Sequence, residues 1–392
     1  MKTNPPYRAE HIGSLKRPAD LLKKRTEFES GVASSAELTA IEDKAIEHNV
    51  KVQRNAGIKA MTDGEFRRHM FFDGVFDNLE GMTHLTEVPP HMFKMYVPDV
   101  AAFAKLDFHG ADTYICTGKL KRTKPFYKAQ FEGLKKFTTP EEHGSLKVTI
   151  CAPEWFHLRH GEYAYDHKVY KNDAAYFADI AQAYREEIKE LYSLGCRNIQ
   201  FDDPLLAYFC AESMIKGMEE SGVDHEALLN TYIQTYNDCL RDRPADMTVG
   251  LHLCRGNFKD GRHFSEGGYD RIAVKLFNEI DVDCYYLEYD TERAGTFEPL
   301  KFLPKNKTVI LGLISSKLPQ LEDREELKKR IFDAAKLIAD GEQKRTVNEA
   351  LKQICISPQC GFASHSEGNA VTEQDVENKL KLVSEVAQSV WC

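Results

Sequence analysis

The sequence predicts an α/β protein of the (β/α)8 TIM-barrel class, and three observations carry that expectation. Eight short apolar runs alternate with amphipathic helical patterns. No glycine-rich phosphate loop follows the first run, which argues against a doubly wound open sheet, the other architecture with this rhythm. Polar and soft donor side chains collect at the ends of the runs, where barrels carry their functional groups.

The expected strands are Arg8–Ile12, Gly57–Thr62, Lys147–Cys151, Asn198–Asp202, Thr248–His252, Asp283–Glu288, Thr308–Leu313 and Gln353–Ser357. Four helical stretches separate them. "ELTAIEDKAIEHNVKVQRNAG" precedes the second strand, and "NDAAYFADIAQAYREEIKELYSLG", closed by the helix-stop Gly195, precedes the fourth. "HEALLNTYIQTYNDCLRD" precedes the fifth and "DREELKKRIFDAAKLI" the eighth. Residues 81–146 break the alternation with Pro89-Pro90 and many aromatics. They are expected as a hairpin or loop inserted between strands two and three of one domain spanning 1–392.

Composition narrows the function classes. Apolar residues at 42% and charged ones at 29% give a globular balance, and a net charge of -9 argues against a general nucleic-acid binder. No apolar run approaches the roughly 18 residues of a spanning helix, and the N-terminus lacks a signal-peptide core. A cytoplasmic protein without membrane partners is expected, with a homo-oligomer left open. The ten cysteines are scattered and are expected as reduced thiols.

Within "VGLHLCRGNF", His252 and Cys254 alternate on a strand end, so both can face the barrel mouth while Leu253 turns away. Glu288 and Cys360, from other strand ends, could complete a four-ligand set. Imidazole, carboxylate and two thiolates suit Zn²⁺, with bonds of about 2.0–2.3 Å. Each residue alone has an ordinary reading, as core or as ion-pair partner. Two thiolates and a carboxylate would leave zinc a weak Lewis acid, better suited to keeping a thiol deprotonated and nucleophilic than to hydrolysis.

The segments "HIGSL", "TDGEFRR", "IQFDDPLL", "GLHLCRGNF", "YYLEYDTERAG" and "ISPQCGF" resemble the catalytic C-terminal half of cobalamin-independent methionine synthase, and most closely the short single-barrel members of that superfamily. The resemblance implies zinc held by His252, Cys254, Glu288 and Cys360. It implies an amino-acid acceptor held by the Ile12-Gly13-Ser14 turn, Glu65 and Asp202, the two carboxylates acting as catalytic residues by orienting its ammonium group. The implied reaction moves a methyl group to a thiol, homocysteine first among candidates, from a methyl-folate or another small donor. The chain departs from the family where a histidine after strand seven is thought to protonate the leaving folate; Ile314 stands there, and it cannot donate a proton. The additional N-terminal barrel of the full-length synthases also has no room here.

Other residues carry paired readings. Glu65 could instead pair with Arg67 or Arg68. Asp203 should face away from Asp202, as an outward cap. Trp155 is a candidate substrate-binding residue that could stack on a flat ring or anchor the core. Lys119, Lys121, Arg122, Lys124 and Lys128 form either a solvated face or a clamp for an anionic tail. His157, His160 and His263 are candidates for the missing acid or ordinary surface histidines, His365 or Ser364 could reach the rim, and Arg293 is expected to brace Glu288. Three rivals remain: a thiol transferase acting on an epoxide, a non-catalytic zinc-binding barrel, and a decarboxylase of the same superfold.

Overall fold

The computed structural model describes residues 4–105, 113–258 and 261–392. Six strands form a parallel sheet in sequential order: β3 (Val148–Cys151), β4 (Asn198–Asp203), β5 (Thr248–Leu253), β6 (Cys284–Glu288), β7 (Thr308–Ile314) and β8 (Ile354–Pro358). These follow the six later expected strands to within one residue at each end. Each pair is in parallel register, so neighbours such as Asp202 and His252 lie side by side and point the same way.

The first two expected strands do not form continuous ladders. Arg8–Ile12 bridges to β8 at Ala9, and its bonds run from Glu10 N–H to Ile356 O (2.9 Å) and from Ile356 N–H to Arg8 O (2.9 Å). Gly57–Thr62 reaches β3 through Lys147 N–H to Met61 O at 2.9 Å. Side chains replace the missing rungs. Gln53, on the preceding helix, takes the Thr62 N–H and donates to the Thr62 carbonyl, both at 2.9 Å. The Thr62 hydroxyl donates to Gly13 O at 2.6 Å, and a His11 ring nitrogen lies 3.0 Å from Ala60 O. These two segments thus fill the gap between β8 and β3, and the architecture is that of the (β/α)8 class with two irregular staves.

The helices follow the sequence periodicity. The helix Asp173–Ser193 opens on Asn172, whose side chain accepts the Ala175 N–H, and buries Tyr176, Phe177, Ile180, Tyr184, Ile188 and Leu191 at helical spacing. The other three expected helices occupy Ser35–Asn55, His225–Leu240 and Arg324–Ala339. No helix among the described residues is long and apolar enough to cross a membrane. Within 81–146 an antiparallel hairpin pairs β1 (Glu80–Leu85) with β2 (Thr113–Lys121), and the helix Pro98–Ala104 lies between them; 106–112 fall outside the described residues. Lys119 pairs with Asp179, Arg122 with Glu187 and Glu190, and Lys128 with Glu190, so the basic stretch docks on the helix 173–193.

The main core lies between sheet and helices, and a smaller cluster of Ile12, Cys284, Tyr286, Ile310 and Cys355 fills the space the strands enclose. Lys147 and Glu10 sit beside that cluster as an ion pair of 3.2 Å, both side chains 0% exposed. Tyr286 donates its hydroxyl to the same Glu10 oxygen at 3.1 Å and lies under the Lys147 ammonium at 4.6 Å. Breaking such a pair from one side strands a buried charge. Lys147→Met should therefore lower unfolding stability by roughly 3–5 kcal/mol, and adding Glu10→Gln should recover much of the loss. Urea denaturation of the three proteins checks this; equal losses in single and double variants would contradict it.

Candidate metal and substrate site

The site forms where the strands end. His252 and Cys254 alternate at the end of β5, and both face inward while Leu253 is buried in the outer core. Glu288 closes β6, and Cys360 lies just beyond β8. One donor atom from each of these four residues lies within 4.8 Å of the other three. The Cys254 and Cys360 sulfurs are 3.3 Å apart as free thiols, and Gly256 N–H donates to Cys254 Sγ at 3.3 Å.

The second layer of contacts orients these donors. His252 Nδ1 donates to Asp202 Oδ1 at 3.2 Å, and its buried Nε2 has no partner among the described residues. Glu288 accepts the Arg255 N–H at 3.0 Å and Arg293 Nη2 at 2.9 Å, so Arg293 braces it as expected. The Cys254 thiol is pushed well above the ordinary range, first by its contact with Cys360 and then by burial. For Glu288, burial acts upward, but Lys317, Arg293 and His252 outweigh it and hold the carboxyl below the usual range. For His252, burial acts downward, and the Asp202 hydrogen bond leads the terms that hold it above its usual value. One imidazole nitrogen without a partner, two soft sulfurs and a carboxylate fit a tetrahedral divalent metal such as zinc.

A cavity opens beside this cluster. It is lined by Ile12, Ser14, Glu65 and Asp202 with three of the four donors, and by aromatic walls that include Phe71, Phe72, Phe103, Trp155, Phe258 and Phe264. Glu65 stands at φ 60, beside Gly64 at φ 70, a strained turn that lifts its carboxyl into the cavity. Glu65 Oε1 accepts the Thr149 hydroxyl at 2.8 Å, and Oε2 is buried without a partner among the described residues. Burial raises the carboxyl to about 7, with Arg68 opposing, Asp202 adding, and Thr149 and Arg17 opposing. Arg68 lies 3.9 Å away, whereas Arg67 turns outward to Glu42 and Asp43. Gly13 brings the turn against this carboxyl: at φ 144, an added Cβ would stand 2.4 Å from Thr149 Cγ2 and 3.3 Å from Glu65 Oε1. Ser14 accepts the Phe362 N–H on its carbonyl at 3.0 Å.

The remaining expected residues divide. Asp203 faces outward, accepting the Leu205 and Leu206 N–H groups and the Tyr236 hydroxyl. Trp155 is 4% exposed; it stacks on Phe72 at 5.0 Å, lies under Arg159, and still lines the cavity. Ile314 is fully buried. His157 contacts Tyr232 and Asp173, His160 contacts Thr113 and Met92, and His263 contacts Glu266; none of the three lines the cavity. Ser364 does line it, and His365 packs on Phe258 at 5.0 Å. Sequence reasoning missed Thr149 and Gln200, although both lie two residues from an inward-facing strand position and the alternation rule reaches them. It also missed Arg17, a buried clamp on the carbonyls of Glu65, Arg68, Ala363 and His365, and Asp99, which pairs with Arg159 at the cavity. No pattern marks those two.

Residues 165–389 match the family described as the catalytic domain of cobalamin-independent synthase. That span holds Asp202 and the four clustered donors; the Ile12–Ser14 turn, Glu65 and Trp155 lie before it. The uncharacterized protein YxjH of Bacillus subtilis (strain 168) is 36% identical over 391 residues, covering 98% of this chain and 95% of its own. A crystal structure from Listeria monocytogenes, provisionally assigned as a vitamin-B12-independent methionine synthase, matches with TM-score 0.73 and 28% identity over 100% of both chains. A B12-independent methionine synthase from Shewanella sp. W3-18-1, in complex with selenomethionine, shares the fold with TM-score 0.68 and 20% identity over 98% of this chain and 97% of that one.

The Gly13 geometry gives a direct test. Gly195, at φ 100, has nothing within 4 Å of an added Cβ, so Gly195→Ala should cost only backbone strain, about 1–2 kcal/mol. Gly13→Ala should cost roughly 1–3 kcal/mol more, from its collision with Thr149. Denaturant midpoints of the two variants measure the difference; equal losses would show that Thr149 yields freely.

Proposed function

The chain belongs to the family of cobalamin-independent synthase catalytic domains, and from that premise we propose that it is a zinc-dependent methyltransferase whose acceptor is the thiol of homocysteine, giving methionine. The observation that carries this reading is the convergence of His252, Cys254, Glu288 and Cys360 within 4.8 Å, beside a cavity that also presents Glu65 and Asp202. Zinc held by those four residues would lower the pKa of an incoming thiol and keep it a nucleophilic thiolate.

The chain's own residues supply position. Glu65 Oε2 and the cavity side of Asp202 receive the ammonium group of the acceptor. The Ser14 hydroxyl and the Gly13–Ser14 turn receive its carboxylate. The aromatic walls exclude water and hold the donor, a methyl-folate or another small methyl carrier, in line with the acceptor sulfur. Retention of two carboxylates aimed at an ammonium favours an amino-acid thiol over a sulfonate thiol.

Homocysteine methylation should stop when a chelator strips the metal and return when zinc is added back. Cys360→Ser should lose stoichiometric zinc together with turnover. Undiminished turnover in metal-free protein would refute the proposal.

Glu65 adds a pH dependence. An ammonium needs its ionised form, and the carboxyl titrates near 7 rather than near 4.5. Methionine affinity should therefore rise with pH by up to about tenfold per unit below that value and then level off, with proton release on binding. The same titration makes the folded protein lose stability as pH climbs from about 4.5 to about 7, because the unfolded chain gives up this proton first. Glu65→Gln should flatten the affinity profile and weaken binding by roughly tenfold or more. Calorimetry across pH reads both effects; an unchanged profile in the variant would assign the titration elsewhere.

A further inference from the structure

Gln200 lies on β4 two residues before Asp202, on the same inward face, and is completely buried. Its amide Nε2 donates to two acceptors at once: Ile12 O at 2.6 Å and Asp202 Oδ1 at 2.7 Å. Both are acceptors only, so the amide is fixed with its nitrogen toward them. The cost is a buried Oε1 without a partner among the described residues. Asp202 Oδ1 also receives the His252 Nδ1–H at 3.2 Å. An unbroken series of hydrogen bonds thus runs from the carbonyl of the Ile12–Ser14 turn, through Gln200 and Asp202, to the imidazole whose Nε2 faces the donor cluster. Gln200 does not line the cavity.

We infer that Gln200 is a positioning residue that holds the metal-ligand histidine and the substrate-binding turn in one frame; this rests on the metal and amino-acid reading given above. The amide works on each side by a different route. Toward the metal it acts only through Asp202, whose carboxylate fixes the His252 ring and its tautomer. Toward the amino acid it acts through the Ile12 carbonyl, which sets the Gly13 and Ser14 positions. A leucine-like core role would need neither donor, and the orphaned Oε1 would then be an unexplained burial cost.

The split is measurable with a double-variant cycle on the full chain. Gln200→Met keeps the length and packing and removes both donors. Zinc affinity is read by competition with a chromophoric chelator, and amino-acid affinity by titration with 2-aminobutyrate, which has the α-amino and carboxylate groups but no sulfur to reach a metal. Gln200→Met should weaken zinc binding by about threefold or more, less than the roughly tenfold or more expected on removing Asp202, the histidine's own partner. In an Asp202→Ala background, which removes the shared acceptor, the same change should leave zinc affinity within about twofold, while 2-aminobutyrate binding still weakens. If Gln200→Met does not fold, Gln200→Leu, which likewise has no donor, reads the same cycle with the same expected loss. Zinc affinity within twofold of the unaltered protein for the single variant, or an equal loss with and without the Asp202 carboxylate, overturns the inference. Absence of zinc binding by the unaltered protein would instead fail the underlying reading, and the inference with it.

Discussion

Two thiols, a carboxylate and an imidazole within 4.8 Å, held away from bulk water, are a costly arrangement. Their anionic forms repel one another, and burial raises the cost of each charge. The surroundings are built to contain that cost. Arg293 and Lys317 face Glu288, and Asp202 supports His252. A further cation, Arg255, lies buried over the Tyr269 ring at 4.3 Å, and the Tyr269 hydroxyl meets the backbone ends of both β5 and β6. The thiols remain the unbalanced part, and the contact with Cys360 discourages ionisation of Cys254. A divalent cation is the simplest group that would turn this repulsion into binding energy, and the proposed zinc follows from that balance.

The barrel register makes the arrangement possible. Parallel, in-register strands place Asp202 beside His252 and Gln200 beside Thr149, so one inward layer joins the floor of the proposed acceptor site to the support of the proposed metal ligand. Below it, the Lys147–Glu10 pair and the Ile12 cluster fill the interior. Above it lies the cavity. Its lining combines Glu65 and Asp202 with several aromatic rings, which suits the proposed pairing of a small zwitterionic acceptor with a flatter, less polar methyl carrier.

Much of this was legible in the sequence where local physics is strong. The later six strands are continuous apolar runs, and the long helices carry both periodicity and caps, so their limits were readable to a residue or two. The H-x-C spacing and strand alternation were enough to turn His252 and Cys254 together and to send Asp203 outward. The first two strands misled because their apolar pattern is that of a strand while only part of their bonding reaches a neighbouring strand's backbone and the rest goes to side chains: Gln53 satisfies both backbone groups of Thr62 from a helix, a substitution no local pattern encodes. The insertion was visible as a break in rhythm, but its delivery of Asp99 and Phe103 to the cavity depends on how the helix 98–104 docks. Gln200 was missed for a different reason: a buried amide flanked by apolar residues looks like core until both its acceptors are known.

The account stands or falls on whether the four donors hold one ion that still accepts a sulfur. X-ray absorption at the zinc edge of the zinc-loaded protein, with and without homocysteine, tests this most directly. The account predicts two sulfur neighbours with nitrogen and oxygen completing the shell, and a third sulfur when homocysteine is added. An unchanged two-sulfur shell at saturating homocysteine, or a shell without the two cysteine sulfurs, would contradict it.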